Sequence, residues 1–281
     1  MESVSCILLL VDRGRLALRG LNKALLLARH FDAALELLLC ETGIQEVQPA
    51  RRAILGEARQ YLQALVQTIV TTDVPIHAEA AFASSLAAGI AEQLARTPVQ
   101  LIVKTTQDGA LAADLRLASG SGVPWLLTRG RPWRAVPRFA AAVNLGDGAD
   151  GSLVGRIVAV LETLAQRCGA DLEYLFADPA RARGASAAHR RLVALRGQDA
   201  RPLAGRLQYC AGVPAETLPR LITQRDFDLL GVGVSTHPSD AQTSLRAQLL
   251  LTARGDGLLV PPRFDSGAPG GAPLVGSTAV A

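Results

Sequence analysis

The feature that most constrains this chain is a regular alternation of short, continuously apolar runs with longer segments of helical period, in an order that occurs twice. A run of four to eight residues that is apolar at every position suits a strand covered on both faces, as in a parallel sheet. Residues 5–12, 35–40, 75–82, 101–103 and 123–127 read as such strands. Helices are expected between them: one over 16–31, one with Ile54, Ala58, Tyr61, Leu62, Leu65, Val66 and Ile69 on a single stripe, and one with Leu86, Ile90 and Leu94 inward and Ser84 as its cap. The segment before the fifth strand is short, so a truncated fourth helix is expected there. After Pro137 the order returns, with strands over 139–143, 171–177, 207–211, 227–234 and 258–260. Their helices open at Gly151-Ser152, run around 185–195, start at Pro214 and cover 245–253.

Strict alternation of this kind predicts an α/β fold with a doubly wound, mostly parallel sheet in each repeat. The period of about 130 residues marks a duplicated domain and not a solenoid. The expected organisation is a first domain over 1–130, a second over 137–265 and a disordered Gly/Pro/Ala/Ser tail over 266–281. Residues 130–137, rich in Gly, Pro and Arg, form the linker.

Charge narrows the function classes. The chain carries a formal net charge of +4 over 281 residues. Its basic residues are almost all Arg and are scattered singly, whereas a nucleic-acid surface gathers them on one face between aromatic platforms. No nucleic-acid partner is therefore expected. No apolar run approaches the roughly 20 residues of a membrane helix and no cleavable leader is visible, so a soluble, cytoplasmic protein is expected. Cys6, Cys40, Cys168 and Cys210 form no C-x-x-C pair and read as structural thiols of a reducing compartment. His30, His77, His189 and His237 make no metal-ligand pattern. Neither a nucleophile elbow nor a Walker loop is present, so no catalytic constellation emerges.

Two motifs of the second repeat carry more information. Gly212-Val213-Pro214-Ala215-Glu216 opens a helix, and Asp228-Leu229-Leu230-Gly231-Val232-Gly233 leads into a strand. Together with the first strand ending in Val11-Asp12 and the element order, they make residues 4–263 resemble the universal stress protein family. The duplication is similar to its tandem type, in which one chain supplies both halves of an intrachain pseudo-dimer. The resemblance implies a non-enzymatic stress-response or regulatory protein, with ATP or another adenine nucleotide as the family's ligand.

Nucleotide-binding members carry Gly-x-x-Gly, nine residues, then Gly-Ser or Gly-Thr after the fourth strand, where backbone amides approach phosphates. Here Gly233 is followed at the second position by Thr236, and Arg246-Ala247 stands where Gly-Ser would be. In the first repeat Thr105 and Asp108 replace both glycines. The sites are therefore expected to be degenerate, with any surviving small-molecule pocket in the second repeat, at the C-terminal ends of the strands. The candidate ligand-binding residues are Asn144, Gly231, Gly233 and Ser235. Asp12 is the first-repeat counterpart of Asn144 at the family's adenine side. A protein partner on the same surface is the alternative to a ligand. A third possibility is a nicotinamide-dependent enzyme that uses Gly146-Asp147-Gly148-Ala149-Asp150-Gly151 as a dinucleotide loop.

Overall fold

The computed structural model describes residues 4–14, 17–43, 48–69, 73–145, 150–178, 184–196, 203–235 and 240–262. The predicted tail, Thr236 and residues 146–149 of the candidate dinucleotide loop lie outside the described residues.

The first repeat runs β1 (Cys6–Leu10), α1 (Ala17–Phe31), β2 (Ala34–Thr42), α2 (Gln48–Gln67), β3 (Ile76–Ala83), α3 (Leu86–Arg96), β4 (Leu101–Thr105), α4 (Leu111–Ser121) and β5 (Trp125–Thr128). The second runs β6 (Arg138–Ala142), α5 (Gly151–Cys168), β7 (Asp171–Asp178), α6 (Gly184–Arg196), β8 (Arg206–Ala211), α7 (Pro214–Arg225), β9 (Leu229–Gly233), α8 (Asp240–Thr252) and β10 (Asp256–Val260). The strands form one ten-stranded sheet in the order β3-β2-β1-β4-β5-β10-β9-β6-β7-β8. Each half is parallel and uses the same internal order. The β5–β10 pair at the centre is antiparallel, with Leu126 opposite Leu258. The predicted α/β class and doubly wound parallel arrangement are what the structure has.

Helices cover both faces, which is why the strands are apolar at every position: β1, β5 and β10 are buried throughout. Alternating side chains feed two cores. Ile7, Leu9, Phe139 and Ala141 face α1, α2, α5 and α6, and Leu8, Leu10, Ala140 and Leu230 face α3, α4, α7 and α8. Small departures from the sequence reading have local causes. Ser85, not Ser84, caps α3, its hydroxyl accepting from the Ala88 amide at 3.1 Å. In α2 the inward stripe begins at Leu55 and not at the exposed Ile54, because Leu55, Ala58, Leu62 and Leu65 keep a strict 3-4-3 spacing. The fourth helix is shortened in the expected sense, by two residues: α4 has 11 residues against 13 in α8.

The seam between halves is held by two crossing cations, one from the first helix of each half. Lys23 on α1 reaches Asp256 at the start of β10 (3.1 Å) and donates to the Arg131 carbonyl (3.2 Å). Arg156 on α5 donates to the Gly122 carbonyl before β5 and to the Pro261 carbonyl after β10, each at 2.6 Å. The predicted linker is itself part of this lock. Trp133 Nε1 and the Arg129 amide donate to Asp256 at 2.9 and 3.0 Å, Lys23 sits 4.0 Å over the Trp133 ring, and Arg131 and Arg134 pair with Asp226. Lys23 and Asp256 are both buried. Desolvation outweighs the carboxylate and holds the Lys23 ammonium below its ordinary range.

Candidate functional site

In a doubly wound sheet the strand order reverses at one point, and the crevice beyond the strand ends opens there. In the second half this point lies between β6 and β9, whose neighbours diverge to either side. A cleft of about 460 Å³ occupies it. Its floor is the ends of β6 and β9, with Ala142, Val143 and Asn144 from one and Val232, Gly233 and Ser235 from the other. On one side α5 contributes Leu153, Val154 and Ile157. On the other α7 and α8 contribute Leu218, Leu245 and Leu249. Phe176 and Ala177 of β7 complete the apolar wall.

Three polar features interrupt it. Asp150 caps α5, its Oδ1 accepting from the Ser152 amide (3.0 Å), the Ser152 hydroxyl (2.8 Å) and the Leu153 amide (3.2 Å). Those hydrogen bonds, led by the Ser152 hydroxyl, hold its carboxyl below the usual range. Asn144 and Ser235 stand at the two strand ends, each already engaged within the fold. Arg246 projects from α8. Burial pushes its guanidinium below the ordinary arginine range, and no hydrogen bond or ion pair offsets that cost among the described residues.

Comparison of the two halves explains Arg246. Counted back from β5 and β10, whose registers correspond, Asp114 of α4 stands where Arg246 of α8 stands. Asp114 is buried, pairs with Lys104 of β4 at 3.0 Å and accepts from the Thr106 hydroxyl. The residue matching Lys104 is Val232. The first half thus has an internal ion pair at this position. The second keeps the position but has an apolar residue in place of the strand cation and a cation in place of the helix acid.

The sequence-predicted residues fall in three places. Asn144, Gly233 and Ser235 meet at the cleft. Gly231 lies in β9 below it, not on its lining. Asp12 is exposed just after β1, in the other half of the sheet, where its carbonyl accepts from the Tyr61 hydroxyl at 3.2 Å. The glycines of β9 have a packing reason. A Cβ on Gly231 would lie 2.4 Å from Leu161 Cδ1, and one on Gly233 2.8 Å from Ile157 Cδ1. At the same crossing in the first half the glycine is on the helix: a Cβ on Gly20 would meet Thr105 Oγ1 at 2.5 Å. One partner must be small where the first helix crosses the fourth strand, and the halves assign that role to opposite partners. Gly212 opens the Gly-Val-Pro-Ala-Glu motif with φ +135°, a conformation that L side chains rarely adopt, and Pro214 starts α7.

Sequence reasoning did not single out the apolar wall or the Asp150 cap as features of a site. The cap had a signal, an acid immediately before a run of helical period. The wall had none, because its residues also read as core. Among the described residues no helix is long and apolar enough to cross a membrane, and no three His, Cys, Asp or Glu side chains gather as a metal site.

No protein-family model and no curated protein matches the chain. Solved structures do. A universal stress protein from Archaeoglobus fulgidus superposes with a TM-score of 0.68 at 11% identity, over 94% of this chain and 98% of that one. A protein assigned to the universal stress proteins from Pseudomonas aeruginosa UCBPP-PA14 gives 0.65 at 23% identity, over 92% and 94%. A protein of unknown function from Pseudomonas aeruginosa PAO1 gives 0.65 at 23%, over 92% and 93%. The chain has the universal stress protein fold. The superpositions run through both halves of the chain.

Proposed function

We propose that this protein is a universal stress protein of the tandem type that works by binding, not by catalysis, with its ligand site in the second-half cleft and its first-half site closed. The observation that carries the proposal is the contrast at one topological position: Asp114 locked to Lys104 in the first half, Arg246 uncompensated beside an open cleft in the second. A guanidinium without a partner among the described residues, lining an apolar-walled cleft, favours a ligand that brings negative charge. The family's adenine nucleotides are one such class. The sequence departures at Thr236 and Arg246 make the site a remodelled version of theirs. The dinucleotide-enzyme alternative is disfavoured, since the Asp150 carboxylate already occupies amides at the α5 N-terminus that a pyrophosphate would use.

Native and denaturing mass spectrometry of gently purified protein, followed by thermal-shift titration with Mg-ATP, AMP and NAD, tests this. A small molecule that co-purifies or stabilises, and that is lost on Ala142→Phe, places binding in the cleft. A ligand held at 100 times its dissociation constant adds about 2.7 kcal/mol. An absence of any ligand-dependent shift together with no co-purified molecule refutes the proposal.

A further inference from the structure

Beyond the family's ligand class, and resting on the reading of the second-half cleft as a ligand site, we infer that the cleft is built for an amphipathic monoanion: an acyl carboxylate whose chain lies against the apolar wall and whose carboxylate meets Arg246. Three observations converge on this class. The wall is apolar on three sides, from Leu153 and Ile157 of α5, through Phe176, to Leu218 and Leu249 of α7 and α8. Its volume of about 460 Å³ lies in the range that encloses a small organic ligand. Among the described residues the charge on the lining is one cation and one anion, Arg246 and Asp150, and the anion is already committed to the α5 amides.

A polyphosphate is the wrong complement to that set. It needs several donors or cations, and here a second negative group would approach Asp150. A neutral apolar ligand would leave Arg246 desolvated and unpaired. A single carboxylate satisfies the guanidinium bidentately, with no remaining charge to place. Asn144 and Ser235 sit at the polar end of the floor, beside the strand termini, and fix where the headgroup lies. The first half cannot take the same ligand, because Lys104 is spent on Asp114.

The test is calorimetric titration of the full chain with sodium octanoate and sodium decanoate, with decanol and Mg-ATP as comparators, repeated on Arg246→Gln and Ala142→Phe. Circular dichroism on each variant ensures that only folded protein is compared. Decanoate is expected to bind more tightly than octanoate, by up to about fourfold for each methylene buried. Arg246→Gln should weaken decanoate by about 10- to 100-fold, the worth of a charged hydrogen-bonded contact, and leave the weaker decanol binding unchanged. Ala142→Phe should weaken both. The inference is overturned if decanoate affinity does not respond to Arg246→Gln, or if Mg-ATP occupies the cleft and decanoate fails to compete. If another molecule binds and Ala142→Phe blocks it while decanoate does not bind, the acyl specificity falls and the ligand-site reading stands. If nothing binds and nothing co-purifies, both fall.

Discussion

Replacing Lys23 by Met removes the ammonium from a position where its partner cannot recover a counter-charge from water. Asp256 has a fully buried side chain, with Lys23 at 3.1 Å, Trp133 Nε1 at 2.9 Å and the Arg129 amide at 3.0 Å. After the substitution two neutral N–H donors remain around the carboxylate. Removing one member of a buried ion pair costs about 3–5 kcal/mol. The surviving donors place the expected loss near the lower end, about 3 kcal/mol, or roughly a 150-fold fall in the folded-to-unfolded ratio. Lys23→Met in an Asp256→Asn background removes both charges and should cost much less than the two single changes combined, with a coupling of at least about 1.5 kcal/mol. Urea unfolding is the assay, followed by far-UV circular dichroism and by tryptophan fluorescence, since Trp133 stacks on Lys23. Coincident transitions license the free energies. A loss below about 1 kcal/mol for Lys23→Met, or additivity within about 0.5 kcal/mol, would refute the view that this pair locks the seam.

Gly231→Ala drives a Cβ to 2.4 Å from Leu161 Cδ1 and is expected to destabilise by about 1–3 kcal/mol in thermal melts. The penalty should shrink in a Leu161→Ala background, and an unchanged penalty would mean that the helix–strand crossing is not the cause. Burial raises the Cys6 thiol to about 11 and the Cys168 thiol to about 12. Iodoacetamide at pH 7.5 should therefore leave both unmodified in native protein and label them on denaturation; rapid native labelling of either contradicts their placement. The Arg131 hydrogen bond depresses the Asp226 carboxyl, so its stabilisation is present above the ordinary aspartate value and is lost as pH falls through the lower folded one. Asp226→Asn tolerates the left-handed backbone at φ +50° and should flatten that acid limb by lowering stability near pH 7 while leaving the most acidic end unchanged. An identical limb in the variant would assign the acid sensitivity elsewhere.

The sequence carried the fold well, for a definite reason. Strands buried on both faces, such as Cys6–Leu10 and Leu229–Gly233, leave uninterrupted apolar runs, and α5 has clean helical spacing from Leu153 to Cys168. Both signals are local. The seam was illegible because its contacts join residues far apart in the chain. Lys23 and Asp256 each look like an ordinary surface charge in sequence, and neither Arg129 nor the linker's Trp133 carries a signal that it reaches across to Asp256. The site was half legible. Asn144, Gly233 and Ser235 could be placed from strand ends alone. Gly231 was drawn in by its motif, although its lack of a side chain answers to Leu161 across the core. The significance of Arg246 needed the register of both halves, which shows it standing in for Asp114.

The antiparallel contact between β5 and β10 has a further consequence. Because it joins two parts of one chain, the pairing cannot be undone by dilution, and each molecule holds its two strand-order reversals, one in each half of a single sheet, in a fixed ratio. In an assembly of identical subunits every change to a crevice appears in both copies. Here a mutation touches one copy only. The halves are therefore free to diverge, as the Lys104–Asp114 pair of one and the Val232 and Arg246 at the same positions of the other show.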